Sequence, residues 1–150
     1  MFSVITGYGP RVGSSHIMRQ AKVRGLEIHG AKYMAHTPPS GNPGGYYDMY
    51  DNDIPLLRSG IAKVWPRQLR LLRAIPSKMV VLGRKDMDAW LVSIEKQIER
   101  ERGHMTAEQV LEHTYPLMDL CLEGYPGEVL KVCTEDLDDR LDEIFQFIGE

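Results

Sequence analysis

The chain of 150 residues has little cysteine, no long hydrophobic run and no strong excess of charge. Two cysteines, Cys121 and Cys133, are too few for a disulfide framework, and no Cys/His spacing predicts a metal site. No run reaches the roughly 18 apolar residues of a membrane-spanning helix, and no signal peptide is recognisable. A formal net charge of −3 gives no overall attraction to nucleic acid or anionic membranes. We therefore expect one cytoplasmic domain over residues 1–150.

Short, continuous apolar runs alternate with helix-like segments along most of the chain. The runs predict strands at Phe2–Thr6, Ile61–Trp65, Lys78–Gly83 and Glu128–Cys133. The segment 26–31 is a weaker strand candidate. The segments between them predict helices at Ser14–Arg24, Pro66–Arg73, Asp86–Arg102, Thr106–Leu122 and Glu135–Ile148. This alternation predicts an α/β fold, a parallel sheet of about four to five strands with helices on both faces.

A Gly-rich turn joins the first predicted strand to the first predicted helix. It reads Gly7-Tyr8-Gly9-Pro10-Arg11-Val12-Gly13-Ser14-Ser15. Backbone N–H groups of such a turn and of the helix start can bind an anion. In the usual phosphate-binding loop a Lys precedes the last hydroxyl residue, whereas here Ser14 occupies that position and the positive charge is at Arg11. The pattern predicts a phosphate site formed by Gly7, Arg11, Gly13, Ser14 and Ser15, with His16 beside it.

The segment 36–53 is rich in Gly, Pro and Tyr, which excludes a long helix or strand. Loops of this length in compact domains are usually functional or disordered, and three tyrosines favour an ordered substrate loop. Asp48 and, as an alternative, His36 are its candidate general bases.

Two further groups of basic residues stand out. Lys63 lies at the end of an apolar strand, where a lone Lys is unusual, so it is predicted to contact a phosphate or a transferred group. Arg67, Arg70 and Arg73 follow at three-residue spacing and are predicted to share one helix face. That face is either solvated surface or a track for a nucleic-acid backbone.

Several of these segments, in this order along the chain, resemble those of the sulfotransferase-like P-loop family, especially its small bacterial and phage-encoded members. The resemblance rests on the Gly-rich loop and on Asn42–Asp48, Lys63–Pro66, Val81–Asp86 with Ser93, Val132–Leu137 and Phe147–Gly149. It implies a transferase that moves a sulfuryl group from adenosine 3′-phosphate 5′-phosphosulfate to a small hydroxyl-bearing acceptor.

The resemblance also implies a role for individual residues. Arg11, Gly13, Ser14 and Ser15 would bind the donor's 5′-phosphate. Lys85 and Ser93 would bind its 3′-phosphate, with Arg84 as the competing choice for the cation. Lys63 would assist the leaving group. Trp65 stands where the family carries its catalytic His, so the base would have to be Asp48 or His36.

Two other functions fit the same sequence. One is a P-loop kinase that uses ATP with Mg²⁺, whose substrate could be a hydroxymethylated base in phage DNA. The other is a non-catalytic nucleotide-binding protein that has kept the fold and lost the base. A nucleic acid is therefore a further candidate partner, and the sequence leaves the oligomeric state open.

Overall fold

A four-stranded parallel sheet forms the centre of the computed structural model, which describes residues 2–30 and 47–149. The strands are β1 (Phe2–Gly7), β2 (Gly60–Lys63), β3 (Lys78–Gly83) and β4 (Glu128–Cys133). Their order in the sheet is β2-β1-β3-β4. Because every pair is parallel, the carboxyl ends of all four strands meet at one edge. The predicted α/β class is confirmed.

Five helices accompany the sheet in the described residues, and two of them begin at side-chain caps. They are α1 (Ser14–Val23), α2 (Pro66–Leu69), α3 (Met87–Glu101), α4 (Ala107–Glu123) and α5 (Leu141–Ile148). Asp86 accepts a hydrogen bond from the Ala89 N–H at the start of α3. Thr106 and Gln109 form a reciprocal capping box at the start of α4. In the part of the chain that the structure describes, no helix is both long and apolar enough to cross a membrane.

Both faces of the sheet are covered, as the continuous apolar strands predict. On one face Phe2 and Val4 pack in a cluster with Ile54 of the 3₁₀ turn Asp51–Leu56. Ile5 points to the opposite face, because successive strand residues alternate, and it belongs to a second cluster that contains Ile17 of α1. The second cluster also holds the fully buried Trp90, Phe145 and Met118.

Three predicted elements are wrong in extent. The predicted helix 135–148 is split into 3₁₀ turns at Thr134–Asp136 and Asp138–Arg140, followed by α5. Glu135 and Leu137 are the reason, since their side chains bond to and pack against neighbouring loops. Among the described residues of the weak strand candidate 26–31, Ile28 alone forms a bridge, to Ile61, and the backbone turns at Gly30, where φ is 95°.

The helix predicted at 66–73 ends at Leu69, because the chain then turns inward. Leu71 and Leu72 pack against the cluster around Val4. Arg67, Arg70 and Arg73 therefore do not share one helix face, and Arg67 is paired with Asp51 at 3.4 Å.

Candidate functional site

The loop Gly7–Ser15 runs from the carboxyl end of β1 to the first turn of α1. Gly13 precedes α1 in a left-handed conformation, with φ at 90°, which suits glycine. Its carbonyl accepts the first intrahelical bonds, from the N–H groups of His16 and Ile17 at 3.1 and 3.3 Å. The first turn contains no acidic side chain that would offset the positive end of the helix dipole. This end of α1 therefore favours an anion.

Gly9, in the loop, is fitted closely against two helices. A Cβ at this position would lie 2.6 Å from Leu111 Cδ2 of α4 and 3.0 Å from Trp90 Cζ2 of α3. The Trp90 indole N–H also donates to the Pro10 carbonyl at 2.8 Å. The loop thus lies directly on α3 and α4, and a side chain at this position would have to displace its neighbours.

Lys63 is the last residue of β2 and is buried, with 1% of its side chain exposed. It pairs with Ile5 in the sheet register, so it points to the face that α1 covers. Its ammonium Nζ lies 2.7 Å from Asp48 Oδ1 and 3.2 Å from Ser15 Oγ. Burial lowers the pKa of Lys63, while Asp48 acts in the opposite direction. A buried cation is thereby held at the first turn of α1.

Trp65, at the position where a His base would be expected, contributes a hydrogen-bond donor. Its indole Nε1–H donates to Asp48 Oδ1 at 3.2 Å, the same oxygen that Lys63 contacts. The Lys63 ammonium also lies 4.9 Å from the centre of the Trp65 ring. Trp65 therefore positions both charged groups. We call Lys63, Asp48, Trp65 and Ser15 the lysine site.

Three arginines lie near one another at the loop. Arg11 Nε donates to Ser93 Oγ of α3 at 3.3 Å, and Arg84 Nη1 lies 3.5 Å from the Arg11 carbonyl oxygen. Burial lowers the pKa of Arg11, and the nearby charges of Arg100 and Arg84 lower it further, against the opposing charge of Glu101. We call Arg11, Arg84, Arg100 and Ser93 the arginine cluster.

One atom of the arginine cluster points to a ligand. Arg84 Nε is buried and has no hydrogen-bond partner among the described residues. A buried donor without an acceptor is unusual, and an anion between the guanidiniums would supply one. The cluster therefore has both the charge and a donor for a phosphate-type group.

The structure separates Lys85 from the role predicted for it with Ser93. The Lys85 ammonium lies 2.6 Å from Asp136 and its side chain is 59% exposed. Asp136 raises the pKa of Lys85. Arg84, the alternative, lies beside Arg11. Arg84 thus contacts Arg11, the residue whose side chain contacts Ser93.

The remaining predicted residues fall into three groups. Ser14 and Ser15 are buried in the first turn of α1, beside Gly13 and close to Lys63. His16 lies on the same turn, and its ring Nε2 is 3.1 Å from Asp138. His36 lies outside the described residues. Gly7 ends β1, and its neighbour Tyr8 donates its N–H to the Leu82 carbonyl at 2.9 Å.

Sequence reasoning missed Arg100 and the role of Trp65. Arg100 follows Ser93 by two helical turns, so the two share a face of α3. That spacing could have indicated Arg100 from the sequence, but α3 carries many other charged residues, so Arg100 does not stand out.

The chain matches no protein-family model, and a search of curated proteins finds no match.

Proposed function

We propose that this chain is a group transferase whose donor is a nucleotide with two phosphate positions, of the type used by the sulfotransferase-like P-loop family. The observation that carries the proposal is the buried ammonium of Lys63, 3.2 Å from Ser15 Oγ at the first turn of α1. A fully buried Lys at a helix N-terminus is costly for the fold, and a charged group that must be neutralised during a reaction accounts for it.

The residues present suit a nucleoside 3′,5′-bisphosphate. The start of α1 would hold one phosphate through Gly13, Ser14 and Ser15. The arginine cluster would hold the second, and the buried Arg84 Nε would find its acceptor there. The first turn of α1 and the arginine cluster are two groups of anion-binding atoms, which suits a ligand with two phosphate positions.

Bound here, the donor adenosine 3′-phosphate 5′-phosphosulfate would supply a sulfuryl group and a phosphate that leaves. Lys63 would stabilise negative charge on the bridging oxygen, because its ammonium has little access to water. Asp48 would accept the proton of the acceptor hydroxyl, since its side chain is 44% exposed and can be reached from solvent. Trp65 and Lys63 would keep Asp48 Oδ1 in place.

Calorimetric titration with adenosine 3′,5′-bisphosphate, alongside ATP with Mg²⁺, tests the donor class. We expect micromolar binding of the bisphosphate, lost in Arg11→Ala. Arg140→Ala is the matched control, because Arg140 pairs with Glu143 on α5 and should leave binding intact. The reaction itself is tested by transfer of a labelled sulfuryl group from adenosine 3′-phosphate 5′-phosphosulfate to simple phenols and alcohols. We expect this transfer to be lost in Lys63→Met.

Other outcomes would replace this proposal. Binding of ATP with Mg²⁺ alone would favour the kinase, with Arg11 or Lys63 at the γ-phosphate. Tight bisphosphate binding without transfer to any acceptor would favour a nucleotide-binding protein. No binding of either ligand would refute a nucleotide function.

A further inference from the structure

The segment 134–137, directly after β4, touches both loops that carry the arginines. Thr134 Oγ1 lies 2.7 Å from the Val12 carbonyl oxygen and 3.0 Å from the Gly83 carbonyl oxygen. Val12 follows Arg11, and Gly83 precedes Arg84. The one hydroxyl of Thr134 therefore links the backbones on which two arginines of the cluster stand.

Glu135 and Leu137 extend the same connection. The Glu135 carboxylate accepts hydrogen bonds from the N–H groups of Lys85 and Asp86 at 2.9 Å. Leu137 Cδ2 lies 2.8 Å from the position that a Cβ on Gly13 would take. Glu135 thus holds the turn after Arg84, and Leu137 holds the loop after Arg11. We call residues 134–137 the brace.

The loop needs such support because its geometry is unfavourable by itself. Arg11 has a φ of 63°, a left-handed conformation that is uncommon for a residue with a side chain. Arg11 also stands near two other positive charges, Arg84 and Arg100. Both strain and repulsion would move Arg11 away unless neighbouring structure fixed it.

We propose that the brace is a positioning device that holds the loop so that Arg11 stays beside Arg84, with Thr134 as its central positioning residue. The inference rests on the proposed function for the nature of the anion, but not for the mechanical role. Holding the arginines together before a ligand arrives removes an ordering cost from binding. The brace should thus determine how tightly a phosphate group is held, without touching it.

Thr134→Val tests the brace, because it keeps the shape of the side chain and removes the hydroxyl. Amide hydrogen exchange of the loop 7–15, followed by mass spectrometry, reports whether the loop opens more often. We expect about fivefold faster exchange, the effect of losing one hydrogen bond, and about fivefold weaker binding of adenosine 3′,5′-bisphosphate. Thr134→Ser should restore both.

The matched control is Ser77→Ala. The Ser77 hydroxyl also donates to a backbone carbonyl, that of Phe2, at 3.1 Å, but at the opposite edge of the sheet. It should leave exchange in the loop and ligand affinity unchanged.

The outcomes separate this inference from the proposed function. Unchanged loop exchange in Thr134→Val, or faster exchange with unchanged affinity, overturns the brace. Failure of the wild type to bind the bisphosphate overturns the proposed function, and the brace is then judged by loop exchange and its rescue in Thr134→Ser.

Discussion

The lysine site and the arginine cluster, which both adjoin the loop Gly7–Ser15, differ in how their positive charges are balanced. The lysine site pairs one buried cation with Asp48, 2.7 Å away. In the arginine cluster, burial lowers the pKa of Arg11, and the nearby charges of Arg100 and Arg84 lower it further, against the opposing charge of Glu101. The first arrangement is close to neutral, whereas the second keeps an excess of positive charge.

The difference indicates what each group of residues does. A cation that is paired with a carboxylate needs no ligand to balance its charge, and it can stabilise negative charge that develops in the transition state. A set of cations that repel one another gains most from an incoming anion. Recognition is thus expected mainly at the arginine cluster, and chemistry at the lysine site.

The largest expected effect is that of Lys63→Met. Turnover should fall about 100- to 1000-fold, as when a charge-stabilising donor is removed. The free energy of unfolding at pH 7 should be unchanged or higher, because Asp48 is 44% exposed and remains hydrated while the cost of burying an ammonium disappears. Urea denaturation and turnover assays measure the two effects. If Lys63→Met lost stability but kept full turnover, Lys63 would support the fold and not the reaction.

The sign of the pH dependence follows from the lowered pKa of Lys63. The unfolded chain binds this proton more tightly than the folded protein, so wild-type stability should rise as pH increases from the lowered pKa into the ordinary lysine range. Lys63→Met should lack that rise. Lys78→Met is the control, since the Lys78 ammonium donates to the Phe147 carbonyl at 2.5 Å, at the other end of the sheet. It should cost about 1 kcal/mol of stability and no turnover.

Gly9→Ala should give the next largest effect, by displacing the loop from α3 and α4. The new methyl group would lie 2.6 Å from Leu111 Cδ2, and overpacking of this kind costs about 1–3 kcal/mol. Gly124→Ala is the matched control, because a Cβ there meets nothing within 4 Å. Thermal and urea unfolding should separate the two variants. Equal stability would show that the loop does not depend on this packing.

Arg100→Ala should weaken bisphosphate binding about tenfold, the effect of one charge-assisted hydrogen bond. Stability should not fall, since one source of repulsion on Arg11 is removed. Arg73→Ala changes the charge equally at an exposed position and should leave affinity unchanged. Calorimetry at two salt concentrations measures both. Equal affinity of the two variants would remove Arg100 from the cluster.

On bisphosphate affinity, Asp48→Asn should have the smallest effect of these variants at neutral pH and a clear one at alkaline pH. Asp48 raises the pKa of Lys63 against the effect of burial, so its removal should let Lys63 lose its proton at a lower pH. Bisphosphate affinity should then fall at a lower pH than in the wild type. Asp51→Asn, which changes an acid paired with Arg67 and Gln68, is the control. If the affinity of Asp48→Asn fell at the same alkaline pH as that of the wild type, Lys63 would contribute no charge to ligand binding.

The sheet could be predicted from the sequence because its strands, above all the buried β1 and β3, leave a local signal of continuous apolar residues. Lys78–Gly83 and Glu128–Cys133 are strands with the predicted bounds. The segment 135–148 could not be predicted correctly, since its helical pattern is overridden by bonds from Glu135 to the chain near residue 85. Such bonds exist only after the sheet has brought β3 and β4 together.

The candidate site was predictable in its parts more than in its arrangement. The loop, Lys63 and Asp48 stand out by residue type and position, whereas Ser93 is named only through the resemblance. That Arg11 turns toward Ser93, or that Thr134 lies under both loops, depends on a left-handed Arg11 and on strand order. Neither is encoded in a short stretch of sequence.

The central position of β1 has a consequence for how the chain is made. Phe2 pairs across the sheet with Gly60, and Ser3 with Lys78, so both neighbours of β1 are synthesised long after it. This buried strand must therefore remain without its ladders until first β2 and then β3 have been synthesised. Folding should be slow to begin and sensitive to crowding by other nascent chains. Slower translation after residue 83, which gives β1 both neighbours, should raise the yield of folded protein.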